Sequence, residues 1–338
     1  MKNAFAYFVY LLVILLTAII RRLPRSLFFL LAPVFAWVAY CIPRVGGIAR
    51  MNVRVAFPEK TERERCQIVR KSFANLFISL CEFFWCKGKG DVVTSLVHVS
   101  EEICAKTEAV QKEGRGSIFV SPHIGNWEFA GIRLGSSMGF RMGTVVRSPR
   151  NPYLDKLISS GRMVENVEII HSKGAVRAIA RALKEGKTIG ILIDQNTRLR
   201  DGGAFVRFFG LPVPVSMTPA HFARKDNLFI AIGAAVRIGK KFEGILRTLP
   251  RPVSEYSSDE ELTQDLMDIS MKLIREYPEQ YLWLYRRFQN IPPDAPEELK
   301  KKYPPYASIP GEKFFSRAYK YHHLAETENR EPSSSRQE

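Results

Sequence analysis

The sequence predicts an α/β protein, a mixed and mostly parallel sheet flanked by helices, preceded by an N-terminal membrane-anchor helix. Three observations carry that prediction. Short apolar runs such as Gly116–Val120 (GSIFV), Met142–Val146 (MGTVV) and Thr188–Ile193 (TIGILI) alternate with amphipathic stretches, a pattern that builds parallel sheets covered on both faces. The chain has 338 residues, 46% of them hydrophobic, which suffices for a sizeable core. The seventeen positions Ala4–Ile20 are uncharged and nearly all apolar, close to the lower limit for spanning a bilayer core of roughly 30 Å.

Taken in order, the N-terminal run is followed at once by Arg21, Arg22 and Arg25, a cluster that favours the cytoplasmic side. No small-residue cleavage site follows, so the run reads as an uncleaved anchor. A second run, Ser26–Ile42, contains Pro33, Trp37 and Tyr40. Pro33 is expected to break or kink a helix, and the aromatics suit a headgroup layer. An interfacial or re-entrant element is therefore favoured over a second span. Residues 1–43 form this anchor region and residues 44–296 the α/β domain.

Within the domain, Glu62–Trp85 reads as a long helix with an apolar stripe of Ile68, Phe73, Leu76, Leu80 and Phe84. The strand Gly116–Val120 runs into Ser121-Pro-His-Ile-Gly-Asn-Trp-Glu128. There Asn126 caps the next helix and Glu128, in its first turn, complements the dipole. Met142–Val146 is a further strand. Gly174–Glu185 is a helix with Val176, Ile179 and Leu183 on one face and Arg177, Arg181 and Lys184 on another, stopped by Gly186. Thr188–Ile193 is a buried strand ending at Asp194-Gln195. Leu228–Arg237 and Gly244–Leu249 supply two more strands and Leu262–Tyr277 a helix. Ile291–Pro296 closes the domain. Residues 297–338 form an extension that lacks apolar content from about 324 and is expected to be disordered there.

A formal charge of +16 calls for an anionic partner: nucleic acid, anionic phospholipid or an acidic carrier protein. The basic residues are dispersed and no nucleic-acid motif accompanies them, which disfavours nucleic acid. The five cysteines form no CxxC pair and no zinc spacing with histidine, and read as reduced and mostly buried.

Chemistry in open parallel sheets gathers beyond the strand carboxyl ends, where both SPHIGNWE and Asp194-Gln195 fall. Two readings of His123 and Glu128 are open from the residues alone. They form a general base with its orienting acid, Gly125 allowing the chain to turn between them, or a loop histidine beside a capping charge. Ser121 lies two residues before His123, but the GxSxG elbow of a hydrolase is missing. A direct transfer, in which the acceptor's own hydroxyl attacks, needs no enzyme nucleophile.

The segment SPHIGNWE resembles the HxxxxD/E motif of the glycerolipid acyltransferase superfamily, and its flanks resemble one branch, the bacterial lipid A biosynthesis (lysophospholipid) acyltransferases. Further segments match in order: Asn52–Pro58 (NVRVAFP), Asn151–Asp155 (NPYLD) with Arg162, Lys173-Gly174, Gly190–Gln195 (GILIDQ), Phe208–Pro212 (FFGLP) and Pro278–Phe288 (PEQYLWLYRRF). The likeness spans roughly residues 44–290. Thr218-Pro219 stands where the family more often has Gly-Pro, and Tyr281 and Tyr285 replace a common Trp and His.

The resemblance implies a glycerol-3-phosphate acyltransferase-like fold and transfer of a fatty acyl chain from a thioester to a lipid hydroxyl. The donor is acyl carrier protein or acyl-CoA. The acceptor is a membrane glycolipid, a lipid A precursor or a relative, with a lysophospholipid, aminolipid or mannosylated inositol lipid as the alternative. It further implies His123 as general base with Glu128 as its partner, no metal, no cofactor and no nucleic acid. The expected place is the inner membrane, with the catalytic domain on the cytoplasmic side of an anionic bilayer. Arg147 and Arg162 are candidates for binding phosphate, since guanidinium matches phosphate oxygens bidentately. Asn126 is placed beside the substrate as a cap, and Asp194 and Gln195 behind the catalytic pair.

Overall fold

A computed structural model describes residues 2–315, apart from 148, 150, 163–165 and 173. Three helices open the chain: α1 (Lys2–Ile20), α2 (Arg25–Cys41) and α3 (Pro43–Ala56). The long helix α4 (Glu62–Trp85) follows. It starts on a capping box in which Thr61 accepts from the Glu64 amide and Glu64 reaches back to the Thr61 amide, satisfying two donors that a helix start leaves orphaned. Next come α5 (Gly90–Leu96), β1 (Val97–His98), α6 (Glu101–Lys112), β2 (Ser117–Ser121), α7 (Trp127–Ser137), β3 (Met142–Val146), α8 (Pro152–Arg162), β4 (Val167–His171), α9 (Ala175–Lys184) and β5 (Thr188–Leu192). The hairpin β6 (Gly203–Phe208) and β7 (Leu211–Ser216) leads to α10 (Thr218–Asp226), β8 (Phe229–Ile238), β9 (Lys241–Thr248), α11 (Asp259–Glu276) and the short α12 (Glu297–Lys300).

Seven strands form one sheet in the order β1-β9-β8-β2-β5-β3-β4. The five from β8 to β4 are mutually parallel, while β9 reverses against β8 and β1 runs with β9. The reversal is a two-residue turn in which Gly239 takes φ of +61°. The mixed, mostly parallel sheet flanked by helices is thus as expected. Beyond the predicted strands lie β1, β4 and the β6–β7 hairpin.

The main core joins the central strands (Ile118, Val120, Ile189, Ile232) to α3, α4, α9 and α11. Tyr281, Trp283 and Phe288 of the PEQ segment belong to the same core. The predicted disorder beyond 324 and the matched Lys173 fall outside the described residues.

Among the described residues no single helix is long and apolar enough to cross a membrane. The bent pair of α2 and α3 is so by length and composition when taken together. Helix α2 also continues through Pro33. The break falls nine residues on, at Ile42, where α2 and α3 meet at 91° and Pro43 takes the first turn of α3, a position that costs no hydrogen bond. One stripe of α2 (Phe28, Ala32, Ala36) is buried, with Phe28 and Ala32 packed on Ile78 and Cys81 of α4. Its other side (Leu30, Val34, Phe35, Trp37) stays exposed, as do Phe5, Phe8, Leu12 and Leu15 of α1.

Candidate active site

Parallel pairing decides what meets His123. Ser121, the last residue of β2, is in register with Leu192, the last residue of β5. Two steps further on, His123 and Asp194 leave adjacent strands at the same level of the carboxyl edge. The ring Nδ1 of His123 lies 2.6 Å from Asp194 Oδ1. The backbone N–H of His123 donates to the other carboxylate oxygen at 2.9 Å. Both oxygens of Asp194 therefore hold the same residue, which fixes the ring's tilt and places the proton on Nδ1. Nε2 is left with its lone pair, 3.3 Å from the side-chain nitrogen of Gln195. Trp127 meets the imidazole edge-on at 5.0 Å between centroids.

The sequence reading gave the orienting role to Glu128, and the geometry at Nδ1 differs. The carboxylate on that nitrogen comes from the end of the neighbouring strand. Glu128 sits in the first turn of α7, half-buried, where its charge complements the helix dipole. A one-dimensional spacing sees the acid five residues away; it does not see the acid 71 positions away that strand register brings alongside.

Asp194 is buried at 2% exposure, and burial alone raises a carboxyl pKa. The charge and hydrogen bonds of His123 and the guanidinium of Arg287 outweigh burial, so the carboxyl is held below its ordinary value. Arg287 is itself buried. Its Nη1 donates to Asn196 Oδ1 at 2.5 Å and to the Pro214 carbonyl at 3.1 Å, so it is tied to the loop that carries Asp194. Burial pushes the Arg287 pKa down and that of the neighbouring Tyr281 phenol well up. The site thus holds a buried carboxylate between a guanidinium and an imidazole.

The turn after His123 is fixed from several sides. Gly125 takes φ of +62°, and a Cβ there would run into the Ala235 carbonyl. Its N–H donates to the Gln280 carbonyl at 3.1 Å and its carbonyl accepts from Asn75 Nδ2 and Ser79 Oγ at 3.0 and 3.1 Å. Asn126 is buried, and its Oδ1 caps α7 by accepting from the Phe129 N–H at 3.2 Å. Its amide donates to Glu82 Oε2 at 3.2 Å. Glu82 is fully buried and paired with Arg237 at 2.8 Å and Arg25 at 2.5 Å. This Arg25–Glu82–Arg237 cluster links α2 to the turn that holds His123. Sequence reasoning did not find it, although an acid inside the apolar run LCEFFW is the kind of residue that survives burial only when paired.

The remaining candidates are less central. Ser121 Oγ donates to the Pro122 carbonyl at 2.9 Å. Arg147 is exposed, one residue past β3 on the same carboxyl edge, two strands and so roughly 10 Å across from β2. Arg162 ends α8, and its side chain falls outside the described residues.

With this geometry in view, the comparisons have something to explain. A family model described as bacterial lipid A biosynthesis acyltransferase matches residues 2–290. The chain belongs to this family. It is 28% identical over 257 residues to the lipid A biosynthesis palmitoleoyltransferase of Escherichia coli (strain K12), covering 74% of this chain and 81% of that one. To the lipid A biosynthesis lauroyltransferase of the same organism it is 27% identical over 265 residues, 75% and 82% of the two chains. To the lipid A biosynthesis acyltransferase of Haemophilus influenzae it is 26% identical over 267 residues, 76% and 81%.

The chain is therefore an acyltransferase of the lipid A biosynthesis family, and the segments that carried the resemblance converge in space. Asn52, of the NVRVAFP segment, donates to the carbonyls of Trp283 and Tyr285 at 2.6 and 2.7 Å and accepts from the Tyr306 hydroxyl. Asn196 donates its N–H to the Tyr285 hydroxyl at 3.0 Å. The backbone of Leu282 donates to the His123 carbonyl at 3.0 Å. The PEQ segment is thus a brace behind the His123 and Asp194 loops, which explains why it is matched although it carries no obvious chemistry.

Proposed function

We propose that this acyltransferase moves a fatty acyl chain from the thioester of acyl carrier protein or coenzyme A to a hydroxyl of a lipid A precursor or related envelope glycolipid. His123 Nε2 takes the proton of the acceptor hydroxyl as its oxygen attacks the thioester carbonyl carbon. Collapse of the tetrahedral adduct breaks the carbon–sulfur bond, and the imidazolium returns the proton to the leaving thiolate. Asp194 holds the Nδ1–H tautomer and stabilises the imidazolium while it exists, an arrangement typically worth roughly a hundred- to ten-thousandfold in rate. Glu128 contributes the charge at the start of α7, and Arg147, just past β3, and Arg162, at the end of α8, contribute phosphate contacts. The exposed apolar sides of α1 and α2 hold the protein on the inner membrane, with the sheet on the cytoplasmic side.

The observation that carries this reading is the two-point grip of Asp194 on His123 at the carboxyl edge, which prepares one ring nitrogen as a base. Acyl transfer from acyl carrier protein to a lipid A precursor by purified protein, and its abolition in His123→Ala, test it. Envelope lipids of a deletion strain, read by mass spectrometry, test the acceptor. Lipid A one acyl chain short supports it, and unchanged lipid A with another lipid under-acylated refutes it.

A further inference from the structure

A cavity lies apart from His123. It encloses about 640 Å³ where the end of α1 faces the loop after α4, and Ile14, Ala18 and Leu157 give it an apolar wall. Thr17 and four cations, Arg21, Arg22, Lys87 and Lys89, line the rest, and among the described residues no acidic one does. The sequence gathers them from two helix ends. Arg21 and Arg22 follow α1, while Lys87 and Lys89 flank Gly88, whose φ of +74° turns the chain after α4. The partial negative charge at each helix end favours one or two cations, but it does not require two such ends to share a cavity.

Like charges that converge repel, and the strain is visible: burial and the neighbouring Arg21 both push the Lys87 pKa down. An anion in the cavity removes that cost. The wall identifies what the anion is attached to. Ile14 and Ala18 continue into the exposed apolar side of α1 formed by Leu11, Leu12 and Leu15, so an occupant with its charge on the cations lays hydrocarbon along the helix.

We infer that this cavity is a headgroup site for a phosphate monoester borne on a membrane lipid, separate from the acyl-transfer machinery. The inference rests on the acyl-transfer reading only if the bound lipid is the acceptor itself, and binding is measurable without turnover.

The full chain is mixed with phosphatidylcholine vesicles containing either phosphatidic acid or phosphatidylglycerol at equal surface charge, with and without inorganic phosphate. Tighter partition onto phosphatidic acid is expected, at about fivefold lost for each cation removed near a membrane surface in R21Q/R22Q/K89Q. The same loss is not expected for R177Q/R181Q/K184Q, which removes equal charge from the exposed face of α9, and R21K/R22K should retain binding. Equal losses in the two triple variants, or no preference between the two lipids, would overturn the proposal in favour of diffuse attraction to an anionic surface. Full displacement by inorganic phosphate would overturn the lipid part of it. H123A separates the two readings, because it should bind these vesicles normally even though it transfers nothing.

Discussion

Replacing Asp194 by asparagine changes one atom and sets up a conflict that the geometry makes explicit. Each carboxylate oxygen now accepts from a different donor on His123, the backbone N–H at 2.9 Å and ring Nδ1 at 2.6 Å. Asparagine offers one acceptor and one donor group. If its oxygen keeps the backbone N–H, its amide nitrogen faces Nδ1, which must give up its proton to accept. The proton then resides on Nε2, the nitrogen assigned to receive the acceptor's proton. If the amide is turned the other way, two N–H groups oppose each other at the backbone position, leaving a buried donor unsatisfied at a cost of about 1–3 kcal/mol. Either way the imidazolium loses its counter-ion. The expected fall in kcat is on the order of a thousand- to ten-thousandfold, the size seen for the same substitution in a Ser-His-Asp triad. Raising the pH should not restore it, because the defect is a misplaced proton rather than an excess one. The assay is transfer of labelled acyl chain from acyl carrier protein to lipid acceptor, with Glu128→Gln measured alongside. D194N activity within tenfold of the parent, or a large loss confined to E128Q, would refute the two-point grip as the source of the base.

Other expectations follow from the surroundings of the site. Glu82→Gln leaves Arg25 and Arg237 facing each other in the interior and should destabilise the fold by about 3–5 kcal/mol, read as a lowered midpoint in chemical denaturation; a midpoint within error of the parent would show that the cluster is not holding α2. Gly125→Ala forces a side chain into the Ala235 carbonyl at positive φ and should lower the thermal midpoint and activity together, at a cost of at least about 1–3 kcal/mol; full activity would mean that the turn is freer than it looks. Because the folded Asp194 carboxyl lies below its ordinary value, it contributes stability above an unfolded pKa of about 3.9, lost as pH falls through the lower folded value. The stability gap between parent and D194N should accordingly close only below about pH 4, and a gap that closes near neutrality would contradict the depressed pKa. Burial pushes the Cys81 thiol to about 11 and the Cys86 thiol to about 12, so alkylation of the folded protein at pH 8 should label exposed Cys41 and spare those two, as peptide mapping would show.

How much of this was legible in the sequence depends on the range of the interaction involved. Helix α4 reads to the residue, because its capping box, apolar stripe and end are all local. Strand β3 does too, and β2, β5, β8 and β9 are right to within three residues at each end. Strand β4 and the β6–β7 hairpin were missed. The β4 run Val167–His171 carries Glu168 and His171, and β7 has prolines at 212 and 214 that argue against a strand by propensity. They are tolerated there because β7 has a single neighbour, β6. Pro33 was over-read for a related reason. Its missing N–H was expected to end α2, but tertiary packing of Phe28, Ala32 and Ala36 runs through it, and the turn waits for Ile42-Pro43.

The same distinction explains the site. His123, Gly125 and Asn126 share one turn, so a local reading finds them and gives the correct cap. Asp194 was also placed at a strand end, yet only the β2–β5 register puts it level with His123, and neighbouring order in a parallel sheet is set by crossovers that no short window contains. Glu128 is near His123 in sequence, whereas the acid on Nδ1 comes from the end of the neighbouring strand. The buried charges follow a parallel logic. Glu82 lies alone among apolar residues on one helix, and its two arginines arrive from α2 and β8, 57 and 155 positions away. That separation makes the cluster useful as well as hidden. An ion pair between distant segments forms only when both have docked, so the charge of Glu82 is compensated only when α2 is seated. The Asn126 cap, and with it the turn carrying His123, is thereby coupled to the position of the helix whose apolar side faces outward. Under the proposed function, the support of the base then includes a helix with an exposed apolar side, so the base is fully assembled only when that helix is seated.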